Sequence, residues 1–148
     1  MTDYRPRLFT SDAEIERIGE GLLARTLPRA DWTHEAHLAA TIYLLLRRAD
    51  IDLDAELPDI IRSYNASVGG VNDDTQGYHE TITRTFLHGA RLFLSEADPS
   101  EPLHEVVKQL LLSPMGKREW PLRFYTPERL FSVEARRRFV EPDIAKLR

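Results

Sequence analysis

Residues 33–47, Thr33-His34-Glu35-Ala36-His37-Leu38-Ala39-Ala40-Thr41-Ile42-Tyr43-Leu44-Leu45-Leu46-Arg47, decide the fold. Thr33 can accept a hydrogen bond from a first-turn amide and so cap a helix. Behind it, Ala36, Ala40, Tyr43, Leu44 and Leu46 have the spacing of a largely buried helix ending near Arg48. Upstream, Ser11 or Asp12 caps a first helix whose stripe is Ile15, Ile18, Leu22 and Leu23 and which stops before Pro28.

Downstream, Leu57, Ile60, Ile61 and Tyr64 predict a third helix over about Leu53 to Ser67, in which Pro58 is tolerable only in the first turn. Gly69-Gly70-Val71-Asn72-Asp73-Asp74 is a loop. A fourth helix runs from Thr75 or Gly77 to Ser95, with Ile82, Phe86, Leu87, Ala90 and Phe93 inward, and a fifth from Pro102 to Leu112. Thr126-Pro127-Glu128 and Ser132-Val133-Glu134 each open a short helix. No segment alternates as a strand does. The expectation is an all-α protein: one compact bundle over residues 1–148, with about five main helices and short C-terminal ones.

Bulk properties narrow the function classes. A chain of 148 residues with 42% hydrophobic content can bury a core without staples. It contains no cysteine, which excludes disulfides, thiolate metal sites and cysteine nucleophiles. The charged N-terminal stretch lacks the apolar run of a signal peptide, and Leu38 to Leu46 is too short to span a bilayer. A cytoplasmic protein without membrane contact is the expectation. The net charge is −4, and the single basic run, Arg136-Arg137-Arg138, is flanked by Glu134, Glu141 and Asp143. No nucleic-acid partner is expected.

Histidines carry the chemistry. His34 and His37 lie three apart at the start of the second helix and project from one face. The positive end of the helix dipole there favours neutral imidazole, the form that binds metals or acts as a base. Asp31 can orient one ring. His79 and Glu80 open the fourth helix. Short connections make successive helices antiparallel, so the second and fourth helices start at the same end of the bundle. His34, His37 and His79 can therefore form a three-nitrogen site for a divalent metal (zinc, iron, manganese or nickel), with Glu80 or Glu35 as ligand or general base. That requires the three imidazoles to approach within roughly 3–4 Å of one another.

Two other readings use the same residues. In one they line a metal-free pocket for a small polar molecule; in the other they merely cap helices in a structural or interaction protein. Tyr78, Tyr125, Arg84 and Arg129 are further candidates to line a pocket or hold an anion. His88 and His104 read as surface helix residues, and Trp32 as a staple packing at the helix start. The 69–77 loop is a candidate lid, and it lacks the GxxxxGK[ST] pattern of a phosphate loop.

Three stretches resemble an uncharacterised group of small bacterial proteins: Trp32-Thr33-His34-Glu35-Ala36-His37-Leu38, Gly77-Tyr78-His79-Glu80-Thr81-Ile82-Thr83 and Tyr125-Thr126-Pro127-Glu128-Arg129-Leu130-Phe131-Ser132. Phe139-Val140-Glu141-Pro142-Asp143 belongs with them. The group's H-x-x-H-L, Y-H-E-T-I-T and Y-[ST]-P-E-R-L-[FW]-S segments match from Trp32 onward. The resemblance implies that His34, His37, His79, Glu80 and Tyr125 belong to a recurring pattern, and it brings no activity with it.

Overall fold

A computed structural model describes residues 5–147. Five helices of 10 to 17 residues form the bundle: α1 (Asp12–Ala24), α2 (His34–Arg47), α3 (Leu53–Ser67), α4 (Glu80–Glu96) and α5 (Leu103–Leu112). Two short helices, α6 (Pro127–Leu130) and α7 (Val133–Arg137), follow, and 3-10 turns occupy Arg29–Asp31, Pro114–Gly116 and Trp120–Arg123. Among the described residues there is no strand.

Helix α2 is the central element. Its buried residues, from Glu35 through Leu44, leave little of its circumference to water, and it packs on α1, α4 and α5. Leu46, expected inward, is exposed near its C-terminus. The tightest seam is with α1, where Gly19 lies flat against the Tyr43 ring. Ser11, Thr33, Thr126 and Ser132 each accept a first-turn amide as N-caps. Trp32, just before the Thr33 cap, stacks on His37 in the following turn at 3.7 Å between ring centroids, and the pair forms the expected staple.

One helix boundary and one interior position depart from the sequence reading. Helix α4 begins at Glu80, not at Thr75 or Gly77. Asp73 folds residues 73–76 into a turn by accepting the amides of Thr75 and Gln76, and Gly77 adopts a left-handed φ of 81°. His79, outside the usual set of capping residues, is the N-cap. The second departure is Pro58, which sits inside α3 beyond its first turn. Proline has no N–H, so the carbonyl four residues earlier, that of Asp54, loses its helical partner. Arg84 supplies the replacement: its Nη2 donates to Asp54 O at 2.7 Å, and Nη1 reaches Asp54 Oδ1 at 3.4 Å. Arg91 binds both oxygens of the same carboxylate at 2.9 and 3.1 Å, tying α3 to α4.

The Pro58–Arg84 pairing should register as coupling. Arg84→Leu is expected to destabilise the protein by about 1 kcal/mol at this solvent-facing carbonyl. In a Pro58→Ala background, where the helical bond can re-form, the same change should cost less than half as much. A urea-denaturation cycle on the four variants measures this, and strictly additive losses would refute it.

The remaining chain forms a tail that clasps the start of α4. Its own small core is Tyr125, Leu130, Ala135 and Val140. Buried Thr81 on α4 donates to Arg138 O and accepts from Val140 N, while Tyr125 donates to Val140 O at 2.6 Å. Asp143 returns to cap at Thr126, accepting from its amide and its hydroxyl. Between α1 and α5, Asp12 accepts both the amide and the ring Nδ1–H of His104 in the first turn of α5. His104 is therefore a tie between helices and not a free surface residue. His88 also departs from a surface role, because its Nε2 is buried with no partner.

Candidate functional site

The starts of α2 and α4 do meet at a cavity. It has a volume of about 410 Å3 and lies between α2, α3 and α4. Leu22, Leu38, Leu44, Leu57 and Ile61 form its apolar walls. Thr33, His34 and His37 come from the first turn of α2, Ile82, Thr83 and Phe86 from the first turns of α4, and Arg118 from the loop after α5. Ile82 and Phe86 were expected to be core positions, yet they are only half-buried because this space lies beside them.

Each histidine of the H-x-x-H pair has one nitrogen engaged by a backbone carbonyl. His34 Nε2 lies 2.8 Å from Gly116 O, and His37 Nδ1 lies 2.7 Å from Thr33 O. A carbonyl can only accept, so these nitrogens carry the hydrogens. Neutral rings then present a bare lone pair at His34 Nδ1 and at His37 Nε2, and neither makes a hydrogen bond within the described residues. Burial pushes His37 down to about 4, helped by the neighbouring His34 and by the Arg118 charge. Burial lowers His34 too, again with Arg118 contributing.

Neutral histidines make the fold acid-sensitive. Unfolded imidazoles titrate near 6.5, whereas folded His37 titrates near 4. Between those values the unfolded state holds more protons, so stability is complete above about pH 6.5 and falls as pH drops towards 4. His37 should account for at most about 3 kcal/mol of that loss. Urea midpoints at pH 7.5, 6 and 4.5 should therefore fall less steeply for His37→Phe than for the parent. Equal slopes would assign the effect elsewhere.

His79, expected as the third metal nitrogen, is turned to structure. Its Nδ1 accepts the Ile82 amide at 3.1 Å and its Nε2 donates to Leu130 O at 2.9 Å. Both ring nitrogens are thereby occupied, and burial lowers the pKa, favouring this neutral form. Among the described residues no three histidine or acidic side chains are placed to hold a metal ion together. The three-histidine centre drawn from the sequence is not assembled, because capping α4 turns His79 into the tail.

The other candidates also find structural partners. Glu80 accepts from the Tyr78 hydroxyl at 2.5 Å and from Arg84 Nε at 3.1 Å, and it does not line the cavity. The Tyr78 ring lies under the Arg62 guanidinium at 4.6 Å. Arg84 serves the Asp54 carbonyl, Arg129 Nε donates to Glu141 O, and Tyr125 is fully buried in the tail core. Tyr78, Tyr125, Arg84 and Arg129 are thus absent from the cavity wall. The Y-H-E-T-I-T segment and the tail segments that accompany it bind one another through His79–Leu130, Thr81–Val140 and Tyr125–Val140.

No family model matches this chain, and neither do any curated proteins or solved structures. Its functional reading rests on the geometry of the cavity.

Sequence reasoning missed Arg118 as a cavity residue. It lies two residues beyond Gly116, whose carbonyl binds His34 from 82 positions along the chain, and no local pattern signals such a contact. A second cavity, of about 400 Å3, shares Trp32 and His37 with the first. Arg29, Asn65, Val68, Val71, Gln76 and the glycines of the 69–77 loop complete its lining. That loop is pinned by Asn72, which donates to Arg62 O and accepts from Asn65 and from the Tyr78 amide. Trp32 Nε1, on the shared wall, is buried without a partner. None of the helices described is long and apolar enough to cross a membrane.

Proposed function

We propose that this chain is a binding module for a small, largely apolar molecule held between the starts of α2 and α4. The observation that supports it is a mainly apolar cavity of about 410 Å3 edged by two neutral imidazoles, each anchored through one nitrogen and unpaired at the other. Binding sites for small molecules have this size and composition, with a few polar groups that fix orientation. Bare imidazole nitrogens suit a ligand that brings a hydroxyl or amide donor. His34 and His37 offer at most two protein ligands to a metal, short of the three that catalytic zinc sites use. The metal-free reading is therefore preferred to the metal-dependent one.

1-Octanol is a suitable first probe, with an apolar chain and one donor. Calorimetric titration is expected to show one saturable site in the parent protein. Thr83→Phe, which adds a ring to the cavity wall, should weaken binding more than tenfold while leaving the helical circular dichroism intact. His37→Phe, which removes the acceptor, should weaken it about threefold to tenfold, the worth of one hydrogen bond. Absence of saturable binding, or equal affinity in the Thr83→Phe protein, would sink this reading.

A further inference from the structure

We infer that the ligand of this cavity is an apolar acid whose carboxylate lies against Arg118 at the mouth. The inference rests on the small-molecule reading above and adds the charge of the ligand to it. The chain has 24 acidic residues against 20 lysines and arginines, yet not one aspartate or glutamate lines the cavity. Its single charged lining residue is Arg118, which is exposed. Among the described residues Arg118 pairs with no carboxylate, a condition it shares with Arg25, Arg29, Arg47 and Arg123, whereas Arg48, Arg84, Arg91, Arg137 and Arg138 are paired.

An acidic molecule at this mouth would meet a guanidinium fork suited to a carboxylate. The two histidines add no opposing negative charge, and the adjoining second cavity likewise has an arginine, Arg29, and no acid in its lining. The acid that acts on His34 is Glu119, beside Arg118 in the same loop, and it forms no ion pair with that arginine. Below the mouth, Leu22, Leu38, Leu44, Leu57, Ile61 and Phe86 supply an apolar surface for a hydrocarbon body. Apolar burial would then set how much chain is held, and Arg118 which end faces out.

Octanoate and 1-octanol differ only at that end. Calorimetric titrations of both at pH 7.5, with the parent protein and Arg118→Gln, test the assignment. The expected result is octanoate binding about fivefold tighter than 1-octanol, the advantage shrinking in 0.5 M sodium chloride and reversing in Arg118→Gln, because a carboxylate offers no hydrogen to the bare imidazole nitrogen that the 1-octanol hydroxyl binds. Binding of 1-octanol should be the same in both proteins, showing that the variant keeps its cavity. If 1-octanol binds and octanoate binds no better, or Arg118→Gln leaves the preference unchanged, the acid assignment is overturned while the cavity reading stands. If neither compound binds, both fall together.

Discussion

His79→Ala is expected to destabilise this protein by about 2–4 kcal/mol, one of the two largest single-residue effects the structure predicts. Two losses add. The amide of Ile82 loses its N-cap acceptor, worth about 1 kcal/mol. The Leu130 carbonyl loses its donor inside a buried contact, which costs about 1–3 kcal/mol. In a chain of this length that lowers the thermal midpoint by roughly 5–15 °C. His79→Asn should recover about half of the loss, since asparagine caps well but cannot also reach Leu130. A metal-binding histidine would behave differently, because a chelator would then destabilise the parent as the substitution does. Melting curves of the three proteins, with and without EDTA, decide it. An alanine variant as stable as the parent would refute the structural role.

The second large effect lies where α1 crosses α2. An added Cβ at Gly19 would come within 2.1 Å of Tyr43 Cδ2 and within 2.8 Å of Cε2, far inside contact distance. Inside an ordinary helix, glycine to alanine stabilises by up to about 1 kcal/mol. Here the sign reverses, since the ring is fixed in the seam by its hydroxyl bond to Glu20 Oε2 at 2.7 Å. Gly19→Ala should cost about 2–3 kcal/mol and Gly19→Val more, as overpacking forces the helices apart. Removing the ring should relieve the strain, so Gly19→Ala combined with Tyr43→Ala should lose markedly less than the two single losses added together. Additive losses in urea denaturation would show that the two residues do not compete for the same space.

Helix starts were legible wherever a conventional cap stands in the sequence, as at Ser11, Thr33, Thr126 and Ser132. They failed at His79, because the competing candidates Thr75 and Gly77 are held in a turn by Asp73 and by a left-handed glycine. Pro58 misled in the same way: a local rule confines proline to the first turn, and a side chain from another helix lifts the restriction. For the site, the H-x-x-H pair and the meeting of two helix starts could be read from spacing and antiparallel order. The direction of His79 could not, because Leu130 lies 51 residues away and takes the nitrogen the site would have needed. Arg118 was hidden for the same reason. Tyr78 and Arg84 were read as pocket residues and Glu80 as a metal ligand or general base; the three are close together, but they bind one another and the Asp54 carbonyl instead of enclosing space.

The Asp12 carboxylate that accepts the His104 amide also bears on the order in which the chain assembles. Its partner lies 92 residues downstream, so a ribosome adding about 5–20 residues per second leaves Asp12 waiting roughly 5–20 s after it has itself been made. Helices α1 and α2 are neighbours in sequence and can pair within that interval, since closing a short loop is fast. The first turn of α5 can gain its acceptor only once His104 itself has been synthesised. A nascent chain stalled before residue 104 would thus carry a paired α1–α2 hairpin whose first turn still faces water, and its protection from proteolysis should rise in a late, separate step.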